Sequence, residues 1–330
     1  MVEIEGAIKK TNEQIFMKVS VAICTYNGAK YLKEQLDSIL HQTRPVDEIV
    51  ISDDGSTDDT MAILQQYAAD YPCVRYAQNE KNKGYKQNFF DTQRQCTGDI
   101  IFLSDQDDVW HADKVERVLN WFDSHPKMQL VFTNASIVNG EGKPTGGNAF
   151  EAIGFDDEKQ KAAMHGYMMD ILFQNNRATG ATMALRKELV DDFKDEWGAG
   201  YQFHDYALVL EAFGKEVGGF MSESLIDYRV HGANATGFTP ANHVFLSPYM
   251  HVCADFDGIN RWTANTQRRI AFSRERGSFM YSWWGIKALI ATPRYIRMYD
   301  SLWYKAFLYD MREAFVHSVV RIKNKIKNHD

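Results

Sequence analysis

None of the four cysteines, Cys24, Cys73, Cys96 and Cys253, stands in a C-x-x-C unit, and wide separations part them. No zinc site or disulfide framework is therefore legible from spacing, and the thiols read as reduced interior residues. No run of about 18 uncharged apolar residues occurs, so no membrane-spanning helix is indicated. The start of the chain carries Glu3, Glu5, Lys9 and Lys10 where a signal peptide would have an apolar core, and the expectation is a protein made and kept in the cytosol. No G-x-G-x-x-G fingerprint is present. The first apolar run is followed by Cys24-Thr25-Tyr26-Asn27-Gly28, with one glycine, which argues against a dehydrogenase and against a nucleotidyltransferase with a glycine-rich phosphate loop. Internal repeats and low-complexity segments are absent too.

What is present is an ordinary globular composition over 330 residues, 45% hydrophobic and 25% charged, enough for one large domain or two smaller ones. The net charge of −7 conceals an asymmetry. From Arg261 onward there are 14 Lys and Arg against 5 Asp and Glu, a surplus of +9, which leaves −16 for residues 1–260. A basic segment on an acidic body points to an anionic surface, either nucleic acid or the cytosolic leaflet of a membrane.

Residues 1–17 read as a leader without chemistry. Val19-Ser20-Val21-Ala22-Ile23-Cys24 suits a buried parallel strand, and a helix is expected from about Lys30 to His41, with Leu32, Leu36 and Ile39 at helical spacing. Strands follow at Glu48–Ser52, Val74–Ala77 and Asp99–Ser104, separated by helices at Thr57–Tyr71 and Gln87–Gln95. A further strand is expected at Leu130–Phe132, and a loop or hairpin between Asn139 and Asn148. This alternation implies an α/β layer with a mainly parallel sheet, whose ligand crevice lies beyond the carboxyl ends of the strands. Polar residues gather at four such ends: Thr25-Tyr26-Asn27-Gly28, Asp53-Asp54-Gly55-Ser56, Asn79 to Gly84, and Asp105-Gln106-Asp107-Asp108.

The last cluster ends an apolar run with three carboxylates in four positions. Like charges this close raise each other's pKa unless a cation neutralises them, and hard oxygen ligands suit Mg²⁺ or Mn²⁺ beside a diphosphate. The alternative is an Asp-rich turn capping a helix that starts near His111. Asp54, before a glycine turn, can accept a hydrogen bond from the imide N3–H of uracil or thymine, a donor that cytosine lacks; an Asx-turn is the competing use of either Asp53 or Asp54.

These residues, Val19 to Asn27, Asp53 to Asp58, Asn82-Lys83-Gly84 and Asp105 to Asp108, resemble family 2 glycosyltransferases of the GT-A fold over residues 19 to about 235. Ser104 to Trp110, Phe203-His204-Asp205-Tyr206 and Tyr228 to Asn234 are similar to the bacterial rhamnosyltransferase branch. The resemblance implies a glycosyltransferase domain over 18–240, with a nucleotide half (18–125) and an acceptor half (126–240), followed by a helical, basic and aromatic region over 241–330. It implies an inverting, metal-dependent transfer from a dTDP- or UDP-sugar, with dTDP-β-L-rhamnose favoured, and UDP-hexoses or UDP-N-acetylhexosamines as the alternative. The residues carried over for the nucleotide are Thr25, Tyr26, Asn27, Asp53, Asp54, Lys83 and Asp105. Asp107 is the metal ligand, with Asp105 near the ribose or metal. His231, in a Gly/Asn loop, either completes the metal sphere or is a hydrogen-bonded loop histidine.

Inversion requires a general base for the acceptor hydroxyl. Asp205 occupies the position of the family's base, inside a helix that continues through Tyr206, Leu208, Val209 and Leu210; an N-terminal carboxylate placed for the helix dipole is its alternative. His204 beside it could orient acceptor or base, and Arg229 could balance negative charge. Gly180-Ala181-Thr182-Met183 reads as a small-residue strand flooring the acceptor side.

From Met280 aromatic residues alternate with lysines and arginines, and the chain ends Arg321-Ile322-Lys323-Asn324-Lys325-Ile326-Lys327. Such a pattern fits an interfacial contact with the inner face of the cytoplasmic membrane, where a polyprenyl-linked glycan acceptor would sit, rather than nucleic acid. A helical subdomain with a solvated basic face and a homodimer contact are the other readings.

Overall fold

The computed structural model describes residues 17–172, 176–193, 203–232 and 234. The leader through residue 16, Cys253 and the basic aromatic region lie outside the described residues.

Strands and helices alternate through the first half: β1 (Val19–Thr25), α1 (Leu32–Leu40), β2 (Glu48–Asp53), α2 (Thr60–Asp70), β3 (Val74–Gln78), α3 (Tyr85–Gln95), β4 (Ile100–Ser104), β5 (Val109–Trp110) and α4 (Lys114–Ser124). The second half contains β6 (Leu130–Asn139), β7 (Pro144–Asn148), α5 (Ala149–Ala152), α6 (Asp157–Ala162), α7 (Met168–Leu172), β8 (Met183–Arg186), α8 (Lys187–Asp192), α9 (His204–Gly214) and β9 (Gly218–Val230). One sheet of nine described strands runs in the order β3-β2-β1-β4-β8-β6-β9-β5, with β7 paired to β6.

The parallel block expected from the sequence is β3-β2-β1-β4. Strands β6 and β9 keep its direction, whereas β8, β5 and β7 run against it. Sequence periodicity carries no direction, so this reversal was not visible in the residues. Alternate side chains leave opposite faces of a strand. Val19, Val21, Ile23, Ile49, Ile51, Ile100 and Phe102 therefore pack on one face, with Leu36, Ile63, Val118 and Phe122 of the helices. Ala22, Val50, Ile101, Leu103, Leu130 and Phe132 fill the other, against Phe89, Phe90 and the Tyr206–Leu210 stretch of α9. Burial on both faces is why these strands read as continuous apolar runs.

Three expectations are corrected. The Gly180–Thr182 segment is a 3-10 turn, and only Met183–Arg186 is strand. The helix after the aspartates begins at Lys114, not near His111, because Val109–Trp110 first pairs antiparallel with β9. Asp108 consequently caps no helix; its Oδ1 accepts the Arg229 N–H at 2.9 Å.

Candidate active site

The carboxyl ends of β1, β2 and β4 open into a cavity of about 360 Å³ lined by residues of both halves, among them Thr25, Tyr26, Asp54, Asp105, Asp107, His204 and Asp205.

The two adjacent aspartates of β2 have divided their tasks. Register places Thr25 opposite Asp53, and Thr25 Oγ1 donates to Asp53 Oδ2 at 2.8 Å. Asp53 also accepts the Gly55 and Ser56 N–H groups, at 3.1 and 2.8 Å, and Gln78 Nε2 at 3.0 Å. It is the Asx-turn residue, and Gly55 with φ +90° lets the turn close. Asp54 lines the cavity. Its oxygens accept the Lys83 and Gly84 N–H groups at 2.8 Å and Asn79 Nδ2 at 2.9 Å, which clamps the 79–84 loop. A carboxylate has about four lone-pair sites, so three bonds leave one for a ligand N–H.

Lys83 contributes its backbone; its ammonium turns to Asp91 at 2.7 Å. Asn27, at φ +49°, accepts the Thr57 N–H at 2.8 Å and joins two loops. Tyr26 is 51% exposed and stands at the cavity wall, its peptide held at both ends by the Gln106 amide, at 2.9 and 3.1 Å. Gln106 lies so close to Gly28 that a Cβ there would meet its Oε1 at 2.1 Å, so a larger residue would displace the Gln106 amide from the Tyr26 peptide.

At the end of β4, burial and the nearby Asp107 and Asp205 push the Asp105 carboxyl up to about 7, partly offset by Lys114. Asp107 is raised by burial and pulled back by His231, whose Nε2 lies 2.8 Å from Asp107 Oδ2. Asn234 Nδ2 donates to the same oxygen at 3.3 Å. Arg229 is buried beneath this group: its Nε donates to the Asp107 carbonyl at 2.8 Å, and one terminal nitrogen donates to Glu34 at 2.6 Å. Arg229 and His231 thus both contact Asp107, Arg229 through the backbone and His231 through the carboxylate. No group of three His, Cys, Asp or Glu with metal-holding geometry occurs among the described residues. Two clustered carboxylates still fit Mg²⁺ or Mn²⁺, since such ions take one or two carboxylates and complete their shell with waters and substrate phosphates.

On the opposite half of the lining, Asp205 is the second residue of α9. Burial raises its carboxyl to about 6 against the pull of the Tyr206 and Gly180 N–H groups and the Asn176 side chain. A carboxylate so raised can take a proton from a hydroxyl near neutral pH. His204 is stacked on Phe89 at 4.2 Å; its ring nitrogens have no hydrogen-bond partner among the described residues, and burial lowers it to about 3, so the ring is neutral. Tyr85, which lines the cavity beside it, escaped sequence reading because an isolated aromatic looks like core; Phe203, quoted in the sequence only as part of its motif, lines the cavity too. Lys114 escaped it too, as one more charged residue in a first helical turn.

The sequence profile of glycosyl transferase family 2 matches residues 20–193, more than half of the chain. The chain belongs to this family. Among curated relatives it is similar to the dTDP-rhamnosyl transferase RfbG of Shigella flexneri, 28% identical over 272 residues, covering 78% of this chain and 86% of that protein. It also matches chondroitin synthase of Escherichia coli, 39% identical over 124 residues, or 38% of this chain. That alignment spans 18% of the E. coli protein, and another spans 39% of an uncharacterized glycosyltransferase of Nostoc. The S. aureus TarS 1–349 structure in complex with UDP-GlcNAc superimposes with a TM-score of 0.51 at 15% identity, over 91% of this chain and 81% of that one. The fold is the GT-A fold. The cavity lies beyond the carboxyl ends of the strands, where open α/β sheets bind their ligands.

Proposed function

We propose that the protein is an inverting glycosyltransferase that moves L-rhamnose from dTDP-β-L-rhamnose to a hydroxyl of a glycan acceptor, in cell-surface polysaccharide synthesis. The observation that carries the reading is the meeting in one cavity of Asp54, Asp105 and Asp107 from the first half with Asp205 from the second. Asp54 takes the imide N–H of the base through its remaining lone pair. Thr25 and Tyr26 pack against base and ribose. Asp107, with Asp105, holds a divalent cation that, when bound, stabilises the negative charge growing on the diphosphate. Asp205 takes the acceptor proton as the acceptor hydroxyl oxygen bonds to the anomeric carbon and the bond from that carbon to the diphosphate oxygen breaks; dTDP leaves from the opposite face, which gives an α-L-rhamnoside from a β donor. The bracing of Asp107 by His231 and Arg229 fixes that carboxylate before substrate arrives, as a preorganised site requires.

The rhamnosyl assignment is supported by the match to RfbG along most of both chains. A UDP-hexose or UDP-N-acetylhexosamine is the alternative donor, because thymine and uracil offer the same N3–H to Asp54. A lipid-linked acceptor at the inner face of the cytoplasmic membrane is supported by the +9 charge of residues 261–330. A non-catalytic sugar binder would have no use for a raised, cavity-lining Asp205.

The test is turnover of dTDP-β-L-rhamnose, UDP-glucose, UDP-galactose and UDP-N-acetylglucosamine by the full chain, with Mn²⁺, Mg²⁺ or chelator. Thermal shifts with UDP, dTDP, GDP and CDP accompany it. Preferential cleavage of the rhamnosyl donor, with the α anomer in the product, is the expected result; turnover confined to a UDP donor replaces the sugar, and none with any donor rejects the reading.

A further inference from the structure

The loop after β1 begins at Tyr26 and is held from two sides. From the β2 side, the Asn27 N–H donates to Ser56 Oγ at 2.8 Å, the Gly28 N–H to Thr60 Oγ1 at 2.9 Å and the Ala29 N–H to Asp58 Oδ2 at 3.1 Å. From the β4 side comes Gln106, 80 positions from Tyr26. Its Oε1 accepts the Tyr26 N–H at 2.9 Å and its Nε2 donates to the Tyr26 carbonyl oxygen at 3.1 Å. One side chain thus exchanges both bonds with a single residue, as the opposite residue of a paired strand would.

Strand pairing itself has stopped short of this point. β1 and β4 are in register as far as Ile23 and Ser104, so the Gln106 amide extends the link between them past the last residue pair. Gly28 makes room for it. A Cβ there would have three Gln106 side-chain atoms as its nearest neighbours, Oε1 at 2.1 Å, Cδ at 2.5 Å and Cγ at 3.2 Å. The residue so held has little packing of its own: Tyr26 is 51% exposed, and the place of its ring at the cavity wall follows from where its backbone is fixed.

We propose that Gln106 is a positioning residue for nucleotide recognition: it fixes the Tyr26 peptide before the donor arrives, so that the aromatic wall stands ready for base and ribose, and Gly28 lets its amide reach. This rests on the nucleotide-sugar reading above. A wall ordered in advance spares the ligand the cost of ordering it. Without the amide, the competent arrangement is one of several, and the apparent Kd rises by the inverse of its population.

Two substitutions break the contact from opposite ends. Gln106→Ala removes the amide, and Gly28→Ala pushes it aside; the obstructing atoms end a flexible side chain, so the backbone is expected to stay in place. Affinities for dTDP and UDP are measured calorimetrically with and without Mn²⁺, alongside melting temperature and the kcat and KM of donor turnover. Each single variant is expected to weaken dTDP binding about fivefold or more and to raise donor KM in step. Turnover at saturation should stay within about threefold of wild type, since the loss is in binding. In the double variant the new methyl no longer meets an amide, so its affinity should lie within about twofold of that of Gln106→Ala. In a Tyr26→Ala background, Gln106→Ala is likewise expected to add less than about twofold, because the ring that it positions is gone.

Affinity and KM within about twofold of wild type in both single variants overturn the proposal. Additive losses in either double variant overturn it as well, since Gln106 would then act apart from Gly28 or Tyr26. So does a lower melting temperature with unchanged affinity, which would make the clamp a contact of the fold alone. If Gln106→Ala does not fold, Gly28→Ala decides through its dTDP affinity. A wild type that neither binds these nucleotides nor turns over a donor rejects the nucleotide-sugar reading and the proposal with it, whereas a wild type that does both, with unaltered variants, rejects Gln106 alone.

Discussion

His231 Nε2 lies 2.8 Å from Asp107 Oδ2, although 124 positions separate the two residues. Antiparallel pairing of Val109–Trp110 with Ile226 and Asp227 brings them together, so the loop after β9 closes over the carboxylate after β4. One oxygen of Asp107 is thereby spent on orientation.

Replacing Asp107 by Asn is expected to reduce transfer by about 10² or more, because a neutral amide is a poor ligand for a hard divalent cation. Nucleotide affinity measured calorimetrically should fall in the presence of Mn²⁺ and change little in its absence. Wild-type turnover in this variant, or indifference of the native enzyme to chelator, would remove the metal from the mechanism.

Asp205 must be ionised to accept a proton, and burial raises it to about 6. As pH falls through about 6, kcat/KM is expected to drop, approaching tenfold per unit on the acid side. Asp205→Asn should lose about 10² or more in kcat, lose that acid limb, and bind dTDP or UDP within a few fold of wild type. The same upward shift works against folding: the unfolded chain ionises this carboxyl first, at its ordinary 3.8, so its contribution to stability falls as pH rises from there towards about 6. A flat pH profile between 5 and 8 would redirect the search for the base.

Gly180→Ala places a Cβ 2.8 Å from His204 Nε2 and 3.5 Å from Asp205 Cβ. Overpacking of this kind costs about 1–3 kcal/mol. A lower melting temperature and a loss of transfer larger than the loss of nucleotide affinity are expected, and a fully active, equally stable variant would show that the turn has slack.

Sedimentation with vesicles tests the basic segment. Binding should require anionic lipid and weaken at high salt, since each Lys or Arg near an anionic surface contributes about 1 kcal/mol and is screened. Replacing Arg321, Lys323, Lys325 and Lys327 by Gln should reduce binding and leave transfer to a short soluble acceptor unchanged. Equal sedimentation of variant and wild type would assign the charge to a solvated face or an oligomer contact.

The sequence by itself determined the strands of the first half and the strand ends at which polar residues gather. Val19–Cys24, Glu48–Ser52 and Ile100–Ser104 are buried on both faces, so their apolar runs are local signals, and the polar residues must fall where those runs stop. Asp54, Asp105 and Asp107 were legible for that reason, and Asp205 through the resemblance of Phe203-His204-Asp205-Tyr206 to the family's motif. Tertiary structure decided what each polar group does. Asp53 and Asp54 are chemically identical neighbours; only the Thr25, Gln78 and turn contacts make one a scaffold, and only the 79–84 loop turns the other to the cavity. Lys83 and Lys114 show the same division in reverse, the motif lysine paired outward with Asp91 and the unremarked one buried beneath the aspartates. Strand direction, the reach of His231 across 124 residues and the charge each carboxyl carries depend on long-range pairing and burial, which no local pattern encodes.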